Sequence, residues 1–115
     1  MDHVFKDLMD IKEVHGVVLR DFGGEVEYQN FRNNITFDPE RLKPILDALV
    51  QIQEADVVFA NQRIYLRRSA AGHLLVVMAR NVPIAMVRLH CDMIIPSLKP
   101  AKKRSSKGFW GFRKS

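Results

Sequence analysis

Cysteine is almost missing from this chain: Cys91 is the only one in 115 residues. No intrachain disulfide and no cysteine-based zinc cluster can form from it. The histidines, His3, His15, His73 and His90, are scattered, and with one thiol they make a poor metal set. His90 and Cys91 are neighbours on a predicted helix and point about 100° apart. A nucleophilic Cys91 would need a base and an electropositive setting. Within an apolar helix it reads instead as a packed core thiol. His15, beside Gly16 at a strand start, reads as structural. No apolar run approaches the roughly 18 residues of a membrane span. The opening stretch, MDHVFKDLMDIKEVH, is acidic and amphipathic. It lacks the basic start, continuous apolar core and small-residue cleavage site of a signal peptide. Cytoplasmic residence is the expectation.

Catalytic sets are also missing. Asp21-Phe22-Gly23 spells the DFG of a protein kinase. The Gly-rich loop, β3 lysine, HRD loop and APE element that give those letters meaning are absent, and the chain is too short to hold two lobes. The tripeptide lies in GVVLRDFGGEVEY, between two β-branched runs. Phe22-Gly23-Gly24 is the bend of a hairpin, and Asp21 can bond locally to the turn.

Acidic residues are missing from residue 99 onward. Seven of the 18 lysines and arginines fall there: Lys99, Lys102, Lys103, Arg104, Lys107, Arg113 and Lys114. The other eleven share residues 1–98 with all 13 acids, so the net charge of +5 hides a mildly acidic domain with a basic tail. Apolar residues make up 47% and charged residues 27%, an ordinary globular balance.

What is present has a clear order. Val4, Phe5, Leu8, Met9 and Ile11 predict a helix over residues 2–12, with Asp2 as N-cap. VHGVVLRD and EVEYQNF predict strands 1 and 2. Asp38 and Pro39 predict the start of a second helix, with Leu42, Ile45, Leu46, Leu49 and Ile52 along one stripe. Pro44 interrupts it, so the helix is kinked there or begins near Lys43. ADVVFANQ, RIYLRRSA and HLLVVMAR predict three more strands. Ile64 and Leu66 alternate with Arg63, Tyr65 and Arg67, which predicts one apolar face and one basic, aromatic face. HLLVVMAR is almost wholly apolar, as in a strand covered on both sides. Asn81 and Pro83 open a last helix, with Ile84, Val87, Cys91 and Ile94 on one stripe and Met86, Leu89 and Met93 on another. Pro96 and Pro100 stop it.

This order, with IKEVHGVVLRDFGGEVEY at one end and ANQRIYLRR followed by GHLLVVMARNVPIAMVRLHCDMIIPSL at the other, resembles the roadblock / dynein-light-chain superfamily. The resemblance covers nearly all of residues 1–98; Pro44 and the tail lie outside it. It implies an α+β fold, with a five-stranded antiparallel sheet in the order α-β-β-α-β-β-β-α and a profilin-like layering. It also implies a non-enzymatic module without a cofactor. Such a module homodimerises or heterodimerises through its sheet and second helices, and regulates or scaffolds small Ras-like GTPases, as in bacterial polarity and gliding systems.

Two surfaces are therefore candidates. The first comprises Leu42, Ile45, Leu46, Leu49 and Ile52, a core stripe whose flanks can meet a dimer mate, together with Arg63, Tyr65 and Arg67. Those three form either a solvated outer face or a contact surface, since Arg and Tyr are enriched at interfaces. Arg88 interrupts an apolar helix and either pairs with an acid or lies on an exposed seam. The second candidate is the tail, residues 99–115, expected to be disordered in isolation. Lys102, Lys103, Arg104, Lys107 and Arg113 can meet an anionic membrane surface, nucleic acid or an acidic protein groove. Phe109, Trp110 and Phe112 can seat at a bilayer interface or stack on bases. A basic run alone does not choose among these partners or a merely solubilising role.

Overall fold

The computed structural model describes residues 2–32 and 43–100. The elements are α1 (Asp2–Met9), β1 (Val14–Arg20), β2 (Val26–Phe31), α2 (Lys43–Ala48), β3 (Glu54–Val58), β4 (Arg63–Ser69), β5 (Gly72–Met78) and α3 (Ile84–Ile94). A 3₁₀ turn, Ile95–Ser97, follows α3. The strands form one antiparallel sheet in the order β2-β1-β5-β4-β3. Element order and sheet both match the sequence expectation. Asp38, Pro39, Leu42 and the tail residues from Lys102 to Arg113 fall outside the described residues.

The first hairpin closes as turn chemistry dictates. The Asp21 amide donates to the Glu25 carbonyl at 2.8 Å, and the Gly24 amide to the Asp21 carbonyl at 3.0 Å. Asp21 Oδ1 accepts from the Glu25 amide at 2.9 Å. Gly24 adopts φ +100°, a conformation that side chains other than glycine's rarely tolerate. The apparent kinase tripeptide is a bend.

The central strands are buried on both faces. On one face α1 and α3 cover Val17, Leu19, Tyr65, Leu74, Val76 and Met78, with Phe5, Leu8, Val87 and Cys91 reaching down from the helices. Phe5 stacks on Tyr28 of β2, ring centroids 4.8 Å apart. On the other face Leu46 of α2 packs against Val18, Ile64, Leu66, Leu75 and Val77, with Phe31 and Ile45 beside them. Among the described residues this second layer holds the smaller core cluster.

Several expectations need correction. α1 ends at Met9 rather than residue 12. The junction between α1 and β1 is held by Arg32, whose guanidinium donates to the Val14 carbonyl at 2.5 Å, the Ile11 carbonyl at 2.7 Å and the Met9 carbonyl. α2 is described from Lys43, in keeping with a helix that begins near that residue, and it contains Pro44. It also stops short: Leu49 and Ile52 lie beyond it, in tight turns closed by Leu49 N–H to Leu46 O and Ile52 N–H to Leu49 O. Pro83, not Asn81, occupies the N-cap of α3. Tyr65 does not lie on a solvated face: it is 1% exposed, under the α1–α3 layer.

Candidate interaction surface

β3 is the last strand of the sheet and pairs with β4 alone among the described strands. Its outer backbone edge therefore presents donors and acceptors that a further strand can take up. Around this edge the large apolar side chains come to the surface. Val58 is 52% exposed, Ile52 41%, Val50 37% and Phe59 36%. Between α2 and the end of β3 lies an apolar cleft lined by Ile45, Leu46, Leu49, Val57, Phe59, Ile64, Leu66 and Leu75. Among the described residues, strand edge and apolar cleft adjoin.

The other side of β3 is tied down by polar contacts. Arg63 grips Asp56 with two parallel bonds, Nε to Oδ1 at 2.8 Å and Nη2 to Oδ2 at 2.6 Å. That fork is the strong geometry for an ion pair, and it holds the Asp56 carboxyl below its usual range. Glu54 accepts from the Tyr65 hydroxyl and, at 2.9 Å, from Arg88 of α3. Arg67 donates to Asp92 of α3 at 2.6 Å and to the Tyr65 oxygen at 3.2 Å. Burial, then the bond to Glu54, push the Tyr65 hydroxyl up to about 12. The network joins β3, β4 and α3 into one rigid edge.

The residues singled out from the sequence therefore separate. Ile45 and Leu49 are half-buried and line the cleft, Leu46 is buried beneath them, and Ile52 is exposed nearby. Leu42 lies outside the described residues. Arg63 and Arg67 are largely covered and spoken for by carboxylates, and Tyr65 is interior. Arg88 both pairs with an acid and lies on an exposed seam. Sequence reading passed over Val50, Val58 and Phe59. For Val58 and Phe59 the signal was an apolar run, VVF, at the end of a short strand, which alternation alone cannot assign to an edge.

Burial pushes the Cys91 thiol up to about 12, and the residue is fully covered. One group of potential metal ligands occurs among the described residues. The carboxylates of Asp21, Glu25 and Glu27 approach within 4.8 Å of one another on the first hairpin, where Asp21 already serves the turn.

This geometry defines a class: a small α+β module with a sheet covered by helices on both faces and an open apolar edge. No protein-family model matches the sequence, and no curated protein does. Solved structures do match. A Roadblock/LC7 domain from Streptomyces avermitilis superposes with a TM-score of 0.66 at 15% identity, over 84% of this chain and 92% of that one. The gliding protein MglB from Thermus thermophilus gives 0.62 at 18% identity, over 84% and 83%. An MglB in a tetrameric arrangement gives 0.63 at 18%, over 84% and 82%. The fold is that of the roadblock domains.

Proposed function

We propose that this protein is a non-enzymatic, homodimeric interaction module that binds or regulates a small Ras-like GTPase or scaffolds a related protein partner in the cytoplasm. In the dimer the β3 edges of two copies pair, and the α2 clefts with Ile45, Leu49 and Ile52 meet across the two-fold. One observation carries this reading: the open strand edge, the exposed Phe59 and the apolar cleft adjoin among the described residues. Separately each is ordinary; together they leave a contiguous apolar surface of the kind that marks an interface. The roadblock fold supports the choice of partner, and the tetrameric arrangement of the similar MglB supports self-association. The test is GTP hydrolysis and nucleotide exchange by small GTPases from the same genome, with and without the full chain. A change in either rate, with complex formation, supports the reading. Absence of binding to all of them removes the GTPase half.

A second reading is favoured by the segregated charge of residues 99–115, seven basic and none acidic. The tail would bring the module to a polyanion, either an anionic membrane surface or nucleic acid. Deleting residues 99–115 then abolishes binding to anionic vesicles or DNA. Unchanged binding by the truncated chain contradicts it.

A further inference from the structure

α3 carries a second apolar stripe that the core does not use. Val87, Cys91 and Ile94 are its buried side. Met86, Leu89 and Met93, spaced three and four residues apart, share the outer side and are 41%, 57% and 66% exposed. Such a group on one helix face is more than the scattered apolar exposure of an ordinary surface, and methionine suits adaptable binding surfaces. On one flank of the stripe, Arg88 and Asp92 are held by Glu54 and Arg67. On the other, Met86 and His90 border an open hollow of about 390 Å³ against the end of α1, where Asp7, Asp10 and Glu13 stand with Lys12. Lys6 takes Asp10 at 2.9 Å and feels Asp7 more weakly. Counted against Lys6 and Lys12, the three carboxylates leave the hollow net negative.

Charge and apolar area together limit what can cover this face. A second copy presenting the same surface would set carboxylates against carboxylates. An anionic bilayer would meet the same repulsion. The occupant has to be cationic and aromatic or aliphatic at once, and one segment of this chain has that composition. Residues 101–115 hold six basic residues, no acid, and the aromatics Phe109, Trp110 and Phe112. The segment departs from the right place. Leu98, buried with the α1–α3 core, follows the 3₁₀ turn that ends α3, and Pro100 is the last described residue. α3 has 11 residues, so it is about 16 Å long. Fifteen residues follow Pro100, an extended reach of about 50 Å. A chain turning back there spans the stripe with length to spare. The order fits as well: the aromatics come to Met93 and Leu89 before Arg113 and Lys114 come to the hollow beside Met86.

We propose that the tail docks on this face of its own chain. Phe109, Trp110 and Phe112 seat on Met86, Leu89 and Met93, and Arg113 and Lys114 meet Asp7, Asp10 and Glu13. Tethering gives a local concentration in the millimolar range, so contacts too weak to join separate molecules still close the tail. A tail held this way is withheld from a polyanion until the polyanion competes for it. The contact lies on the opposite face of the sheet from the α2 cleft and does not depend on the dimer.

Trp110 is the single tryptophan, so its fluorescence reports the tail alone. In the full chain, without lipid or nucleic acid, the expected result is blue-shifted emission and protection from acrylamide relative to the chain in urea, unchanged on dilution. Leu89→Gln and Met93→Gln, at exposed positions outside the core, lose that protection, and Asp7→Asn with Glu13→Gln weakens it. Val58→Lys retains it, whatever becomes of the dimer. An indole as open to acrylamide as in urea overturns the proposal, and so does protection that the α3 substitutions leave intact. Protection that fades on dilution or with Val58→Lys assigns the tail to a second copy and overturns it equally.

Discussion

Gly16 shows how a single residue can be dictated by its neighbour. A Cβ there would lie 2.0 Å from the Phe31 ring, which lies across the β1 backbone. Gly16→Ala forces the ring or the strand to move, an overpacking that costs about 1–3 kcal/mol. Gly23→Ala is the control, since its Cβ meets only Asp21 Oδ1 at 3.4 Å. Urea denaturation should place the first variant well below wild type and the second close to it. His73 provides a pH signature. Its pKa is lowered in the folded state, so the unfolded chain binds its proton first. That contribution to stability is intact above 6.5 and is lost as pH falls below it toward the depressed folded value. Arg68 and Arg20 face the ring and deepen the loss, and the Val50 carbonyl counters it. The melting temperature should drop as pH falls below 6.5, and His73→Gln should flatten that drop. Asp56, whose pKa is also depressed, acts lower, from 3.8 downward.

At the level of elements, Arg32 holds more than its own strand. Its guanidinium gathers three carbonyls at the α1–β1 junction, where the end of a helix leaves acceptors unmatched. Arg32→Met should cost about 2–3 kcal/mol, the scale of charge-assisted bonds to groups left unsatisfied. Hydrogen exchange should show the loss concentrated in α1 and β1. The sequence could not reveal this clamp, because 18 or more residues separate donor from acceptors. What it did reveal was local. Glycine at the first hairpin, β-branched strands and the alternating or continuous apolar runs gave every described element and its order, because turn chemistry and periodicity act over a few residues. The stripe from Ile45 to Ile52 misled because helical spacing continued past the helix. There β4 captures the backbone: the Arg68 amide takes the Gln53 carbonyl, and the Arg68 side chain takes the Val50 carbonyl. Alternation in β4 misled about Tyr65 for a similar reason. A polar tip that bonds Glu54 lets an aromatic body be buried, and a sequence does not show which face a helix will cover. The edge apolar residues Val58 and Phe59 were illegible as a surface for the same reason.

For the molecule as a whole, the two sides of the sheet have different tasks. The α1–α3 side carries the larger core, and an ion-pair network along β3 and β4 braces it. The α2 side carries, among the described residues, an apolar cleft that runs to an open strand edge. A second copy covers both at once. This division also separates stability from association: Phe59 lines the α2 cleft, opposite the main core, and Val58 is exposed at the end of the edge strand. Sedimentation equilibrium of the full chain, beside Val58→Lys and Phe59→Lys variants whose charges block edge pairing, tests this directly. The account predicts a concentration-dependent dimer for the wild-type chain and a folded monomer for the lysine variants. A wild-type monomer at every concentration, or a dimer that the lysines leave intact, would contradict it.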